Sequence, residues 1–504
     1  MSGFGRRQFM RGAVATTGGV LVGGSLEALI ASVASATPRP EVLEPVADLR
    51  DGVVRLHLPR GFHYRSFHDT DTLLPALPAP QVQPPVILDD GTVLPGRHDG
   101  MGAFPGSNGH VWLVRNHEIN GTVAAAFGPG APYDGRTGGG TTTIEVTADG
   151  HVVQAFTSLN GTQNNCAGGR MPWGSWITCE ETVNGPDVGP DFTNATNVNL
   201  QQRHGFIFEV PVGGQSNRQP ITSAGRFAHE AAAYSPNEGI VYLTEDNFAF
   251  PSGLYRYIPP TNPMETGSLS NDGVLQMLRV VGTTNAHLEG AQVIGASYPV
   301  DWVDIADPNP TFPYTSGESA PTPNNTALVH VGSQGRAQGA AHFSRLEGAT
   351  FAKGRIYFTS TQGGGVAETG PQLTSGYGRG AGQVWAYDPE YQTLTCEYQS
   401  PGTSTLELPD NITARNDRGT IVLCEDGPGD NYIRGLTADS ALFDIALNRL
   451  RVNNPSGGTT NAPRFAEEFA GATFSPDGET LFVNIQASRA ITFAIWGPWG
   501  RLGV

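Results

Sequence analysis

The sequence predicts an all-β protein, a single closed β-propeller of six blades with loop insertions. Six apolar runs each end in a polar cluster: Val111–Glu118, Trp176–Glu181, Val241–Asn247, Ile356–Thr361, Ile421–Gly427 and Leu481–Gln486. With Glu118, Glu180, Glu245, Ser360, Glu425 and Ile485 as markers, the steps are 62, 65, 115, 65 and 60 residues, a period that leaves room for four short strands per unit. The 66 glycines and 38 prolines fit a turn-rich β protein, and sustained helical periodicity is hard to find. The long step implies either an insertion over residues 259–325 or a seventh blade.

The N-terminus carries Arg6-Arg7-Gln8-Phe9-Met10, a twin-arginine pattern with Gly5 where Ser or Thr is usual. A weakly hydrophobic run from Gly12 to Gly24 and the small-residue site Ala34-Ser35-Ala36 follow. Residues 1–36 are therefore expected to be a signal peptide read by the twin-arginine translocation machinery, with 37–504 the mature propeller, periplasmic or extracellular. The other reading is a disordered basic tail; Glu27 and the shortness of the run argue against a permanent membrane span. A formal charge of -17 excludes nucleic acid or an anionic membrane as partner, since both require a basic surface. It suits a protein that collects cations, and the chain is expected to act as a monomer.

The stretch around which the chain is organised is Trp173–Thr182, where a short strand runs into Cys179-Glu180-Glu181. Adjacent carboxylates repel, and they sit together only in water, beside cations or around metal ions. In an exported protein a disulfide between Cys166 and Cys179 is the ordinary alternative. A thiol among carboxylates is better explained as a metal ligand, because a cation offsets the charge that otherwise raises its pKa. Cys396 and Cys424 read as small buried residues.

Taken in order, the Pro-rich segment from Pro75 to Pro85 reads as an extended arm. Asp99, before Gly100, reads as an Asx turn more readily than as an inward ligand. His117 and Glu118 fall on opposite faces of a strand, and Glu118 is the one expected to face the site. Asn164–Gly169 reads as a loop, and His204 as a surface histidine at the start of an outer strand. His229-Glu230 is chemically capable of metal or acid/base work, with a solvent-exposed loop pair as the alternative. Glu245 is preferred to Asp246 as the inward residue. The segment 259–325 shows only Tyr298–Ile305 as ordered strand and is expected to cover the site as a lid. Arg345 and Glu347, two apart in an extended segment, share a face: by spacing a salt bridge, beside a metal cluster a fork for phosphate. Thr361-Gln362-Gly363 brings no carboxylate, whereas Asp410 and Glu425-Asp426 add acid that is also ordinary turn chemistry. Glu467 and Glu468 stay ambiguous.

In their order and register these motifs resemble the PhoX family of secreted alkaline phosphatases. The residues that carry the resemblance are the twin-arginine start, Asn116-His117-Glu118, Trp173–Glu181, His204-Gly205, His229-Glu230, Thr244-Glu245-Asp246, Arg345–Gly348, Pro409-Asp410-Asn411, Glu425-Asp426-Gly427 and Ser475–Gln486. They span nearly the whole mature chain. The resemblance implies a propeller whose narrow end holds Fe3+ and Ca2+. By position Cys179 would be the thiolate on iron, with Glu118, Glu180, Glu245, Glu347 and Asp426 as carboxylate ligands. Arg345 would grip phosphate, with Glu347 beside it as the second catalytic residue. The chain departs from the family after Gln486, where Ala487-Ser488-Arg489 stands in place of His-Pro-Gly.

Clustered cations of this kind bind phosphoryl oxygens and offset charge on a leaving oxygen. Hydrolysis of phosphomonoesters, best at alkaline pH, is the expected activity. A calcium-dependent propeller lactonase and a binding propeller without catalysis are the alternatives.

Overall fold

The computed structural model describes residues 41–69, 85–260, 265–267, 269–415, 419–454, 459–487 and 490–504. The twin-arginine segment and most of the Pro-rich arm lie outside these residues. Six units of antiparallel strands follow one another along the chain. The first is His98–Pro105, Val111–His117, Gly139–Val146 and Val152–Thr162; the second is Asn165–Met171, Ser175–Glu180 and Ile207–Pro211. The third is His229–Ser235, Ile240–Glu245, Leu254–Ile258 and Val274–Val280, and the fourth Leu346–Ala352, Arg355–Ser360, Gln383–Asp388 and Thr393–Gln399. The fifth is Pro409–Ala414, Ile421–Glu425, Tyr432–Leu436 and Leu442–Asn448, and the sixth begins Phe469–Phe474, Thr480–Ile485 and Ile491–Trp496. The first strand of each unit packs against the first strands of the units before and after it, the sixth against the first, so the inner strands close into a ring. This is a β-propeller, and each unit is a blade.

Closure is made by the N-terminal part of the chain. His63–Phe67 is the outer strand of the sixth blade, antiparallel to Ile491–Trp496, and Val54–Pro59 extends the fifth blade beyond Leu442–Asn448. Pairing the N-terminal strand into the blade formed by the C-terminal end ties the two ends of the ring together.

The segment expected to be an insertion is more ordered than its composition implies. Val274–Val280 completes the third blade, and Ser297–Asp304 pairs with it on one side and with Thr393–Gln399 on the other, joining blades three and four into one nine-stranded sheet. Its Pro- and Asn-rich stretch runs into two short helices, Asn324–Leu328 and His330–Arg336. Among the described residues no helix is long and apolar enough to cross a membrane.

Blades adhere through apolar side chains at their faces. At the seam of the sixth and first blades, Phe482 and Ala494 pack in one cluster with Leu113 and Ile144, all fully buried. Truncating a buried phenylalanine of this kind costs roughly 3–5 kcal/mol. At the axis the opposite demand holds, for inner strands approach so closely that side chains do not fit. A Cβ on Gly169 would lie 1.7 Å from the carbonyl oxygen of Ala232 in the next blade. The small residues of the inner strands are what lets six of them meet around one axis.

Candidate metal centre

The innermost hairpin of every blade ends in the same way. The last ladder pairs are His98 with His117, Asn165 with Glu180, His229 with Glu245, Leu346 with Ser360, Pro409 with Glu425 and Phe469 with Ile485. One register shift follows in each blade, between His98 and Met101, Asn165 and Gly168, His229 and Ala232, Leu346 and Ala349, Pro409 and Ile412, and Ala470 and Thr473. A bulge adds a residue to one strand and re-aims its side chain. The residue after the last pair on the inner strand is Asp99, Cys166, Glu230, Glu347 and Asp410 in blades one to five, and Ala470 in the sixth.

A second set lies just past the end of the neighbouring strand: Glu118, Glu181, Asp246, Thr361, Asp426 and Gln486. Each of these donates its backbone N–H to the carbonyl of the residue that enters the inner strand, namely Arg97, Asn164, Ala228, Arg345, Leu408 and Glu468, over 3.0–3.1 Å. Three homologous positions per blade thus converge on the axis. One cavity of about 1000 Å³ is lined by the carboxylates of Asp99, Glu118, Glu181, Asp191, Glu230, Asp246, Glu347, Asp410, Asp426 and Glu468, by the Cys166 thiol, and, among the described residues, by Arg97 and Arg345 as its only cationic side chains. Ala320, Pro321, Pro323 and Asn324, at the end of the segment read as a lid, also border it, together with the exposed Phe192, Phe248 and Leu373.

Of the site residues expected from sequence, Glu118, Glu347, Asp426 and Arg345 line this cavity. Cys179, Glu180 and Glu245 do not, and each is displaced for the same reason. They lie within the ladder, one or two residues short of the position that reaches the axis. Cys179 pairs with Ile207 and is buried in an apolar cluster with Ile177 and Leu243. Glu180 accepts from the backbone N–H groups of Gln163, Gly205 and Phe206 at 2.9, 2.9 and 3.2 Å and from His204 Nδ1 at 2.6 Å. Glu245 accepts from Gly253 N–H and the Tyr255 hydroxyl, both at 2.9 Å, and burial pushes its carboxyl up to about 7. The inward residues are their neighbours Glu181 and Asp246, and the thiol is Cys166. Cys166 and Cys179 are both free, so no disulfide joins them. His204 is fully buried rather than on the surface: burial lowers its pKa, but the charges of Glu180 and Asp134 prevail and raise it to about 9.

Electrostatics show how unbalanced this cavity is as a set of protein groups alone. Burial, followed by mutual repulsion, raises the carboxyls of Asp99, Glu181, Glu230, Glu347 and Glu468 well above the usual range, and Asp410 to about 7. Burial and then the charges of Glu230, Glu181 and Asp99 raise the Cys166 thiol too. Asp99 Oδ1 is buried without a hydrogen-bond partner. Three sets of ligand atoms each lie within 4.8 Å of one another: Cys166 with Glu181 and Glu230; Glu230 with Glu347 and Asp410; Asp410 with Asp426 and Glu468. Glu230 and Asp410 are shared, so the three sets form a chain. Sulfur stands at one end of it, and the other two sets are all oxygen. Such a donor set fits several hard cations with one transition metal at the sulfur end.

Both arginines are held by carboxylates. Arg345 donates from Nε and Nη2 to Asp246 at 3.1 and 2.7 Å and from Nη2 to Glu347 at 2.8 Å, with its guanidinium 5.5 Å from the Phe248 ring centre. Arg97 donates from Nε to the Glu118 carbonyl at 2.6 Å and from Nη2 to the Glu118 carboxylate. Sequence reasoning gave Arg97 no part, set Asp99 aside as a turn, and assigned none of Cys166, Glu181, Asp246, Asp410 and Glu468 as a ligand. A signal was present in the recurring pattern of a ligand-type residue before a small one: Asp99-Gly100, Cys166-Ala167, Glu230-Ala231, Glu347-Gly348.

The chain matches the family described as alkaline phosphatase PhoX over residues 42–154 and 136–488. No curated protein matches it in sequence. Among solved structures it is similar to Pseudomonas fluorescens PhoX in complex with vanadate, a transition state analogue, at 16% identity and a TM-score of 0.58, covering 92% of this chain and 98% of that one. That likeness shows a shared fold. A putative 6-phosphogluconolactonase from Bacteroides uniformis is far more distant, at 9% identity, 76% of each chain and a TM-score of 0.33, and bears no argument. With the family match running from residue 42 to residue 488 and a bulged acidic ring at the axis, the chain belongs to the PhoX alkaline phosphatase family.

Proposed function

We propose that this PhoX-family phosphatase hydrolyses phosphomonoesters outside the cytoplasm, after export by the twin-arginine route, with ferric iron and calcium held at the propeller axis. The observation that carries the reading is the cavity itself, ten carboxylates and a thiol against two guanidinium groups among the described residues. A protein does not bury so much uncompensated acid unless cations accompany it.

Cys166, Glu181 and Glu230 would hold the transition metal, because thiolate selects it over calcium, and the oxygen-only sets ending in Asp410, Asp426 and Glu468 would hold calcium. When bound, such ions acidify water and draw charge from phosphoryl oxygens. The chain's own contribution is positional. Arg345, clamped by Asp246 and Glu347 and backed by Phe248, presents the rest of its fork to a phosphate oxygen without further ordering. Glu347 and Asp246 fix that fork. Asn164 Nδ2 donates to Glu181 Oε2 at 3.0 Å and Gln486 Nε2 to Asp99 and Glu118 at 2.9 and 2.8 Å, so ligand carboxylates are oriented by amides that add no charge. The exposed Phe192, Phe248 and Leu373 offer an apolar border to the organic part of an ester.

Elemental analysis of natively exported protein, beside hydrolysis of an aryl phosphate, tests the reading. Iron and calcium with activity that disappears on chelation is the expected result. Full activity in iron-free protein would overturn it. Replacing Arg6 and Arg7 by Lys should retain the product in the cytoplasm.

A further inference from the structure

We propose that Arg97 is a second phosphoryl-binding residue, set across the axis from Arg345. The inference rests on the phosphatase reading above and names a residue to which nothing so far has given a part in it.

Arg97 and Arg345 occupy the same position of two blades. Each enters an inner strand, each has a left-handed backbone, with φ of 45° and 38°, and each offers its carbonyl to the residue past the neighbouring strand, Glu118 and Thr361 respectively, at 3.0 Å. Their blades are the first and fourth of a closed ring of six, so the two side chains approach the axis from opposite sides. In the other blades this position is Asn164, Ala228, Leu408 and Glu468, so arginine is not a general requirement of the bulge.

The guanidinium groups are also restrained alike. In each, Nε and Nη2 bond within the protein, to Glu118 for Arg97 and to Asp246 and Glu347 for Arg345. In each, Nη1 makes no hydrogen bond among the described residues and is not among the buried unpartnered atoms, and both side chains line the shared cavity. Side-chain exposure is 36% for Arg97 and 17% for Arg345, which makes Arg97 the more available of the two. Two pre-held forks on opposite sides supply two positive charges, matching the dianion of a phosphomonoester better than the single charge of a diester.

The test is binding of inorganic phosphate to metal-loaded wild type, Arg97→Gln, Arg97→Lys and Arg345→Gln, with iron and calcium measured in each preparation. Aryl phosphate kinetics are read alongside. Arg97→Gln should weaken phosphate binding and raise KM by about tenfold to a hundredfold at unchanged metal content, as loss of a charge-assisted hydrogen bond does. Arg97→Lys, which keeps the charge and loses the fork, should fall between. Wild-type phosphate affinity in both Arg97 variants overturns the inference alone, as does a loss that merely follows lost metal. A wild-type protein that neither binds phosphate nor hydrolyses the ester overturns the phosphatase reading and this inference with it.

Discussion

Glu180 and Glu181 are neighbours in sequence, and their replacement by glutamine should have opposite consequences. Glu180 is fully buried and accepts four hydrogen bonds, three from backbone N–H groups and one from His204. An amide offers one acceptor oxygen where the carboxylate offers two, so Glu180→Gln turns an NH2 toward donors. It also removes one of the two anions that lift His204 from its ordinary 6.5 to about 9. At about 1.4 kcal/mol per pH unit, the pairing of His204 with Glu180 and Asp134 is on the order of 3 kcal/mol. Breaking a buried pair from one side costs about 3–5 kcal/mol. Because the folded pKa is raised, this stabilisation is fully present below pH 6.5 and is lost as pH rises through about 9. Urea titration should therefore show Glu180→Gln losing several kcal/mol at pH 6, with a smaller loss at pH 9.5, and metal content near wild type. Glu181→Gln should do the reverse: the metal-free protein gains stability, since an acid strained by burial and by Asp246 and Glu230 is gone, while the transition metal is lost. If Glu180→Gln loses metal at unchanged stability, or Glu181→Gln unfolds with full metal content, the placement of these side chains is wrong.

The same logic separates the cysteines: Cys166→Ala should abolish iron binding and activity, whereas Cys179→Ala should keep iron and cost only about 1–2 kcal/mol in an apolar cluster, both read by elemental analysis and denaturation. Metal-free protein should be most stable in mild acid. Asp410 is raised by burial and by Asp426 to about 7, so its contribution is complete below its ordinary 3.8 and lost as pH rises through about 7, a trend that added calcium should flatten in thermal melts. Gly471→Ala should destabilise by about 1–3 kcal/mol or more, because φ is 62° and the new Cβ would lie 2.3 Å from the Asp99 carbonyl oxygen; a fall in metal content should accompany it.

Much of the blade plan was legible because short apolar runs ending in polar clusters mark strands and recur at a blade-sized interval. Val111–His117, Ser175–Glu180 and Ile240–Glu245 stand where the apolar runs placed them. The error was one of register. Glu118 lies one residue beyond its ladder, whereas Glu180 and Glu245 are the last residues within theirs, so the markers mixed two positions that face different ways. In a β-strand a slip of one residue exchanges the faces. Asp426, named as a ligand through likeness to the family, lies one residue past its ladder and lines the cavity. Cys166, Glu230 and Asp410 sit on bulges, which depend on how two strands pair, so the ligand-before-small-residue pattern at Cys166-Ala167 and Glu230-Ala231 becomes readable only once that pairing is known. Val274–Val280 was hidden because Gln276 and Arg279 break its apolar run, and their partners, Arg256 and Asp301, lie on other strands.

By itself the sequence determined that strands recur at a blade-sized interval and that acid gathers where they end, since apolar runs and local charge are properties of neighbouring residues. Only the tertiary structure decided which of two adjacent acids meets the axis, which thiol accompanies it, and that two arginines oppose each other across it. Those facts depend on a bulge repeated in every blade and on closure of the ring, and both are pairings between residues far apart in the chain.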